Sequence, residues 1–92
     1  NNKTYYNESI VIIEQLLQNN PKWSYLWRLL AKSANKVNKQ GISYIALAEE
    51  ALIKKSFIKA KKYVDLANKQ PSIPSSYKLR GADIVARIKM KK

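Results

Sequence analysis

The strongest structural signal in the chain lies in residues 47–71, LAEEALIKKSFIKAKKYVDLANKQP. Apolar residues recur there at the spacing of amphipathic helices, before and after a break at Lys55 and Ser56. Ala48 and Ala60 are small residues at facing positions of these two helices, where Leu would hold the backbones farther apart. The segment therefore predicts a closely packed helical hairpin with its many Lys side chains on the outside.

The same spacing extends in both directions and predicts five helices, at residues 5–19, 21–39, 42–54, 57–69 and 75–90. Thr4 is expected to cap the first helix, and Asn20 the second, with Pro21 at its first helical position. Gly41 is expected to take the left-handed conformation that closes a helix. Because the turns are short, consecutive helices should be antiparallel. This predicts an all-α single domain of stacked αα-hairpins, with a compact helical bundle as the alternative.

The composition excludes several kinds of site. The chain of 92 residues has no Cys and no His, which removes disulfides, thiolate nucleophiles and most zinc sites. Its six carboxylates are scattered, and the adjacent pair Glu49 and Glu50 would point about 100° apart on a helix. We therefore expect no enzymatic activity, no cofactor and no metal. No apolar run approaches the roughly 20 residues of a membrane span, so a soluble segment is expected.

Positive charge is concentrated in the second half of the chain. The formal net charge is +12, and residues 51–92 carry 12 of the 18 Lys and Arg side chains. Six of these form a Lys cluster: Lys54, Lys55, Lys59, Lys61, Lys62 and Lys69. A solvated helix exterior accounts for this cluster. The alternative is a patch that binds a polyanion, either nucleic acid or an anionic membrane surface.

Residues 42–72 resemble one tetratricopeptide repeat, a helical hairpin of a family that binds other proteins. On the first helix the repeat's positions are matched by Tyr44, Leu47, Ala48 and Ala51, and on the second by Phe57, Ala60, Val64 and Ala67. Tyr77 and Gly81 follow Tyr44 and Ala48 by one repeat length, so residues 73–92 resemble the first helix of a truncated next repeat. The resemblance thus covers residues 42–90 most clearly.

Residues 1–41 depart from this pattern, because Trp27 precedes Tyr44 by only half a repeat. They are expected to form a degenerate or capping hairpin, with Trp23 and Trp27 packed between its two helices.

Residues 44–72, followed by YKLRGADIVARI at 77–88, are similar to the C-terminal tetratricopeptide region of HemY-type proteins. Those are membrane-anchored bacterial proteins. The similarity implies that this chain is a segment of a longer protein that is anchored in a bacterial inner membrane. It also implies an association with haem biosynthesis through contacts with other proteins.

Tetratricopeptide arrays bind their partners in a groove lined by the first helices of the repeats. Carried over to this chain, the resemblance implies a groove formed by Tyr25, Arg28, Lys32, Asn35, Ile45, Glu49, Leu52, Lys78, Ala82 and Val85. Arg28, Lys32 and Asn35 suit the capture of a carboxylate, so the expected partner is another protein with an acidic segment or a free C-terminus. An exposed apolar side on the fifth helix is also expected to favour self-association.

Overall fold

The structure, a computed structural model, describes residues 2–90, which form five α-helices and no β-strand. The helices are α1 (Asn2–Asn19), α2 (Ser24–Lys36), α3 (Gln40–Ile53), α4 (Phe57–Asn68) and α5 (Ser75–Met90). Asn1, Lys91 and Lys92, at the ends of the predicted segments 1–41 and 73–92, lie outside the described residues. The predicted all-α fold is confirmed.

Consecutive helices pack side by side, as expected for a chain of helical hairpins. α3 is the central helix and packs on α2, α4 and α5, while α5 packs on both α3 and α4. Within residues 2–90, the backbone of α1 closely approaches only α2. The molecule measures 45 × 29 × 18 Å, so the helices form an elongated row.

Small residues hold the second half of this row together. Ala48, Ala60 and Ala67 are completely buried, and Gly81 is buried as well. A Cβ atom built on Gly81 would lie 3.0 Å from Cδ1 of Ile45 on α3 and 3.3 Å from a methyl group of Val64 on α4. The prediction that these small residues lie at helix contacts is confirmed.

The turns differ from the prediction. Pro21 lies in a turn before α2, which begins at Ser24, so Asn20 does not cap that helix. Gly41 lies inside α3, where a Cβ would come within 2.9 Å of the side chain of Ile73, and its φ is not positive. The left-handed residue of this turn is Asn38, with φ of 59°. Position 41 therefore favours Gly because the loop before α5 packs closely against it.

Two further corrections concern the first hairpin. Thr4 lies within α1 and is not its N-cap, because that helix already includes Asn2. Trp27 is buried with 3% of its surface exposed, but Trp23 precedes α2 and is 53% exposed. Only one of the two tryptophans predicted to pack in the core does so.

Candidate functional site

A groove runs along the face of the molecule that α1, α3 and α5 share, and it contains two adjoining cavities. The smaller cavity, of about 280 Å³, lies between α1 and α5. The larger cavity, of about 540 Å³, lies between α3 and α5. Both are lined by Pro21, Trp27 and Arg80. We call this surface the α1/α3/α5 groove.

Arg80 joins three helices at the centre of this groove. Its Nη1 donates a hydrogen bond to Oε2 of Glu49 on α3 at 2.8 Å, and its guanidinium carbon lies 5.0 Å from the ring centroid of Trp27 on α2. The indole N–H of Trp27 in turn donates to the carbonyl oxygen of Pro21 at 2.8 Å. The Arg80 side chain remains 46% exposed, whereas that of Glu49 is 12% exposed. Arg80 is thus held in place by an ion pair and a cation–π contact while presenting N–H donors to the groove.

A second contact crosses the groove from α5 to α1. The hydroxyl of Tyr77 donates a hydrogen bond to Oε2 of Glu14. Burial, and then the hydrogen bond to Glu14 and its negative charge, raise the pKa of Tyr77, while the charge of Arg80 acts in the opposite direction. The phenol therefore keeps its proton at neutral pH and remains a hydrogen-bond donor to the carboxylate.

The larger cavity combines apolar surface with an excess of positive charge. Its apolar lining includes Leu52, Ile53, Phe57 and Met90. The carboxylates of Glu49 and Asp83 in its wall are each paired with an arginine of α5. Lys22 and Lys55 also line the cavity, and within residues 2–90 neither forms an ion pair. The cavity thus offers an apolar floor and two free cations at its edge.

The residues predicted on α2 lie elsewhere. Tyr25, Arg28, Lys32 and Asn35 share one exposed face of α2, whereas Trp27, which lines both cavities, is buried. Arg28 there forms an ion pair with Glu50 at 2.7 Å, and Asn35 accepts a hydrogen bond from Gln40 at 2.8 Å. None of these four residues lines either cavity of the α1/α3/α5 groove.

On α3, the structure places two of the three predicted residues in the groove. Glu49 and Leu52 line the larger cavity. Ile45 is completely buried and would lie 3.0 Å from a Cβ at Gly81, so it offers no surface to a partner. Ile45 belongs to the core that positions α5.

On α5, the predicted residues face away from the groove. Lys78 and Ala82 are exposed, and Val85 packs against the edge of the core. Arg80, by contrast, lies on the groove side and was missed by sequence reasoning. Arg80 directly precedes the buried Gly81 and so lies at the edge of the buried face of α5. That position is the sequence signal from which Arg80 could have been predicted as a groove residue.

The Lys cluster lies on and around α4, and part of its charge is already neutralised. Lys54 donates to Glu50 at 3.1 Å, and Lys61 donates to Asp65 at 2.8 Å. The remaining four, Lys55, Lys59, Lys62 and Lys69, are exposed. Tyr63, an aromatic residue within this stretch, stacks on Tyr44 of α3 with ring centroids 6.4 Å apart. It is therefore occupied within the protein and does not form a stacking platform for bases.

Comparisons with known proteins add no family or neighbour: no family model, no curated protein and no solved structure matches the chain. Within residues 2–90, no three His, Cys, Asp or Glu side chains are grouped so that they could bind a metal ion. Across the same residues, every helix is too short or too polar to span a bilayer.

Proposed function

We propose that this chain is a non-catalytic protein–protein interaction module of the tetratricopeptide type, and that it binds a partner segment in the α1/α3/α5 groove. The observation that carries the proposal is the larger cavity, in which apolar side chains and two free cations surround Arg80. Binding pockets commonly combine an apolar lining with a few fixed polar groups that orient the ligand. Arg80 has that character because Glu49 and Trp27 hold it.

The helix packing supports the tetratricopeptide assignment. α3, α4 and α5 all pack on one another, as a hairpin and the first helix of the next hairpin do in stacked repeats. Ala48 and Gly81 lie one repeat length apart and are both buried. The resemblance of residues 44–72 to the HemY-type pattern is the basis of a narrower proposal, that the module serves a membrane-anchored bacterial protein associated with haem biosynthesis.

The chemistry of the groove suggests what the partner segment contains. Lys22 and Lys55 are free to pair with carboxylates, and Arg80 offers N–H donors for charge-assisted hydrogen bonds. Leu52 and Phe57 provide an apolar surface for one anchoring side chain. The proposed ligand is therefore an acidic peptide segment, or a free C-terminus, with an apolar residue close to its carboxylates.

A pair of charge-reversal variants tests this proposal. The probe is a panel of short fluorescent peptides rich in Asp and Glu, each with one Leu, Met or Phe near a free C-terminal carboxylate. Fluorescence anisotropy should show saturable binding that the double substitution Lys22→Glu and Lys55→Glu weakens at least tenfold. The matched control, Lys59→Glu with Lys69→Glu, changes the net charge equally on the exterior of α4 and should weaken binding less than threefold.

Equal loss in the two double variants would show that binding follows net charge and not the groove. Nucleic acid and vesicles with anionic lipids provide the competing test. A polyanion site would give tight binding to them that falls steeply with salt and depends on Lys59 and Lys69. That result would overturn the proposed function.

A further inference from the structure

α1 exposes an apolar face on the side away from α5. Tyr5, Ile12 and Leu16 are exposed and recur at helical spacing, with Ser9 between them. Ile12, in the middle of this face, is 56% exposed. Helical geometry places the face on the side of α1 opposite to Glu14, which points towards α5. The face therefore points away from α5, and Tyr5, Ser9 and Ile12 also line a cavity between α1 and α2.

α5 exposes a second apolar face. Leu79 and Met90 are 72% and 85% exposed, and between them Ala82 and Ala86 leave a shallow notch. These residues lie on the side of α5 opposite to its buried residues, such as Gly81. The α5 face, like the α1 face, extends over three turns of helix.

The two faces are complementary in shape. If α1 of one molecule lies antiparallel on α5 of another, Tyr5 pairs with Met90 and Leu16 with Leu79 at the two ends. Ile12 then lies opposite the notch at Ala82 and Ala86. Large residues thus meet at the ends, and a branched side chain enters the notch, as in ridges-into-grooves packing.

One edge of this pairing is complementary in charge. Glu14 of α1 points away from the α1 face, and Lys32 and Lys36 of α2 lie beside that face, so the acidic group available to α5 is Glu8. Glu8 flanks the α1 face on the edge that would meet Lys78 and Lys89 beside the α5 face in this antiparallel arrangement. Pairing two α5 faces would instead bring Lys78 of one molecule against Lys89 of the other.

We propose that the chain associates head to tail, with the α1 face of one copy docked on the α5 face of a second copy. Because the two faces differ, the contact is heterologous and leaves one free face on each copy of a dimer, so further copies can add. This inference rests on the α1 and α5 faces and does not depend on a ligand in the α1/α3/α5 groove.

Two variants that each block one face test the arrangement. Ile12→Arg removes the central apolar side chain of the α1 face and adds a charge that α5 repels. Ala86→Glu fills the notch of the α5 face and adds an acid opposite Glu8. The controls lie at exposed positions of α4: Ile58→Arg makes the same change as Ile12→Arg, and Asn68→Glu adds the same negative charge as Ala86→Glu. All of these sites are exposed, so folding should be retained and is checked by circular dichroism.

Sedimentation velocity over a wide concentration range gives the readout. The wild type and the two controls should increase in average mass with concentration, whereas each face variant alone should stay a monomer. An equimolar mixture of Ile12→Arg and Ala86→Glu retains one intact face of each kind, so it should form dimers and nothing larger. Leu16→Arg and Leu79→Glu repeat the test if either variant fails to fold.

Three results would overturn the proposal. The first is a wild type that stays monomeric throughout the concentration range. The second is association that survives in one face variant, since this would indicate two identical faces in contact. The third is loss of association in the Ile58→Arg control, which would attribute it to general surface hydrophobicity.

Discussion

Substituting Gly81 with Ala measures how closely α5 approaches its neighbours. An Ala in a helix interior is favoured over Gly by about 1 kcal/mol, so at an open site the change would stabilise the protein. Here the new Cβ would lie 3.0 Å from Cδ1 of Ile45 and 3.3 Å from a methyl group of Val64. Both neighbours are buried and have little room to move. Overpacking of this kind costs about 1 to 3 kcal/mol. We expect a net destabilisation of about 1 kcal/mol.

Urea denaturation followed by circular dichroism gives the free energy of unfolding for a double-mutant cycle. Ile45→Val removes the atom nearest to the new Cβ, and alone it should cost about 0.5 to 1.5 kcal/mol. In the Gly81→Ala protein, Ile45→Val should lower the free energy of unfolding by at least about 0.5 kcal/mol less than it does in the wild type, because it relieves the clash. Ile13→Val on α1 is the control, and its cost should be the same in both backgrounds.

A clear gain in stability from Gly81→Ala would refute this reasoning. It would mean that α5 does not contact α3 and α4 closely at this position. Equal costs of Ile45→Val in the two backgrounds would mean that residue 81 makes no close contact with Ile45 on α3.

Two further predictions concern the contacts that cross the groove. Tyr77→Phe should cost about 1 to 2 kcal/mol in urea denaturation, because the phenol loses its carboxylate acceptor on Glu14. The pKa of Tyr77 is raised in the folded protein, so its contribution is present below about pH 10, the value for an unperturbed tyrosine, and falls as the pH rises further. The stability difference between the wild type and Tyr77→Phe should therefore shrink above about pH 10; a difference that stays constant there would contradict the shift. Arg80→Ala should lower the melting temperature more than Arg28→Ala, since the carboxylate paired with Arg28 is also bonded to Lys54. Equal losses in the two variants would contradict the central position of Arg80.

The existence of the helices was predictable because apolar periodicity is a local property of the sequence. The turns were less predictable, since several residues can supply the same backbone conformation. Gly41 was expected to be left-handed, but Asn38 and Lys55 have positive φ, at 59° and 62°. Asn adopts this conformation readily, whereas nothing in the sequence around Lys55 indicated it. The contact of Gly41 with Ile73 joins distant parts of the chain, and periodicity carries no information about it.

The groove was only partly predictable for a related reason. Periodicity shows which side of a helix is buried, but not which other helix covers it. In a helix that begins at Pro21, Trp23 and Trp27 would lie about one turn apart on the same face. Because α2 begins at Ser24, Trp23 lies outside the helix and Trp27 within it. Arg80 and Glu49 meet because α5 packs on α3, which is a tertiary contact. The adjacent Glu50 binds Arg28 on the other side, as expected for neighbours that point about 100° apart.

The most direct test of the interaction account is a backbone NMR titration with the acidic peptides described above. Two indole signals serve as reporters: Trp27 lines both cavities, whereas Trp23 lines neither. The account predicts that saturable shifts concentrate on α1, α3 and α5 and on the indole N–H of Trp27, with Trp23 and the exterior of α4 little changed. Shifts confined to the Lys residues of α4, or no saturable shift with any peptide of the panel, would contradict it.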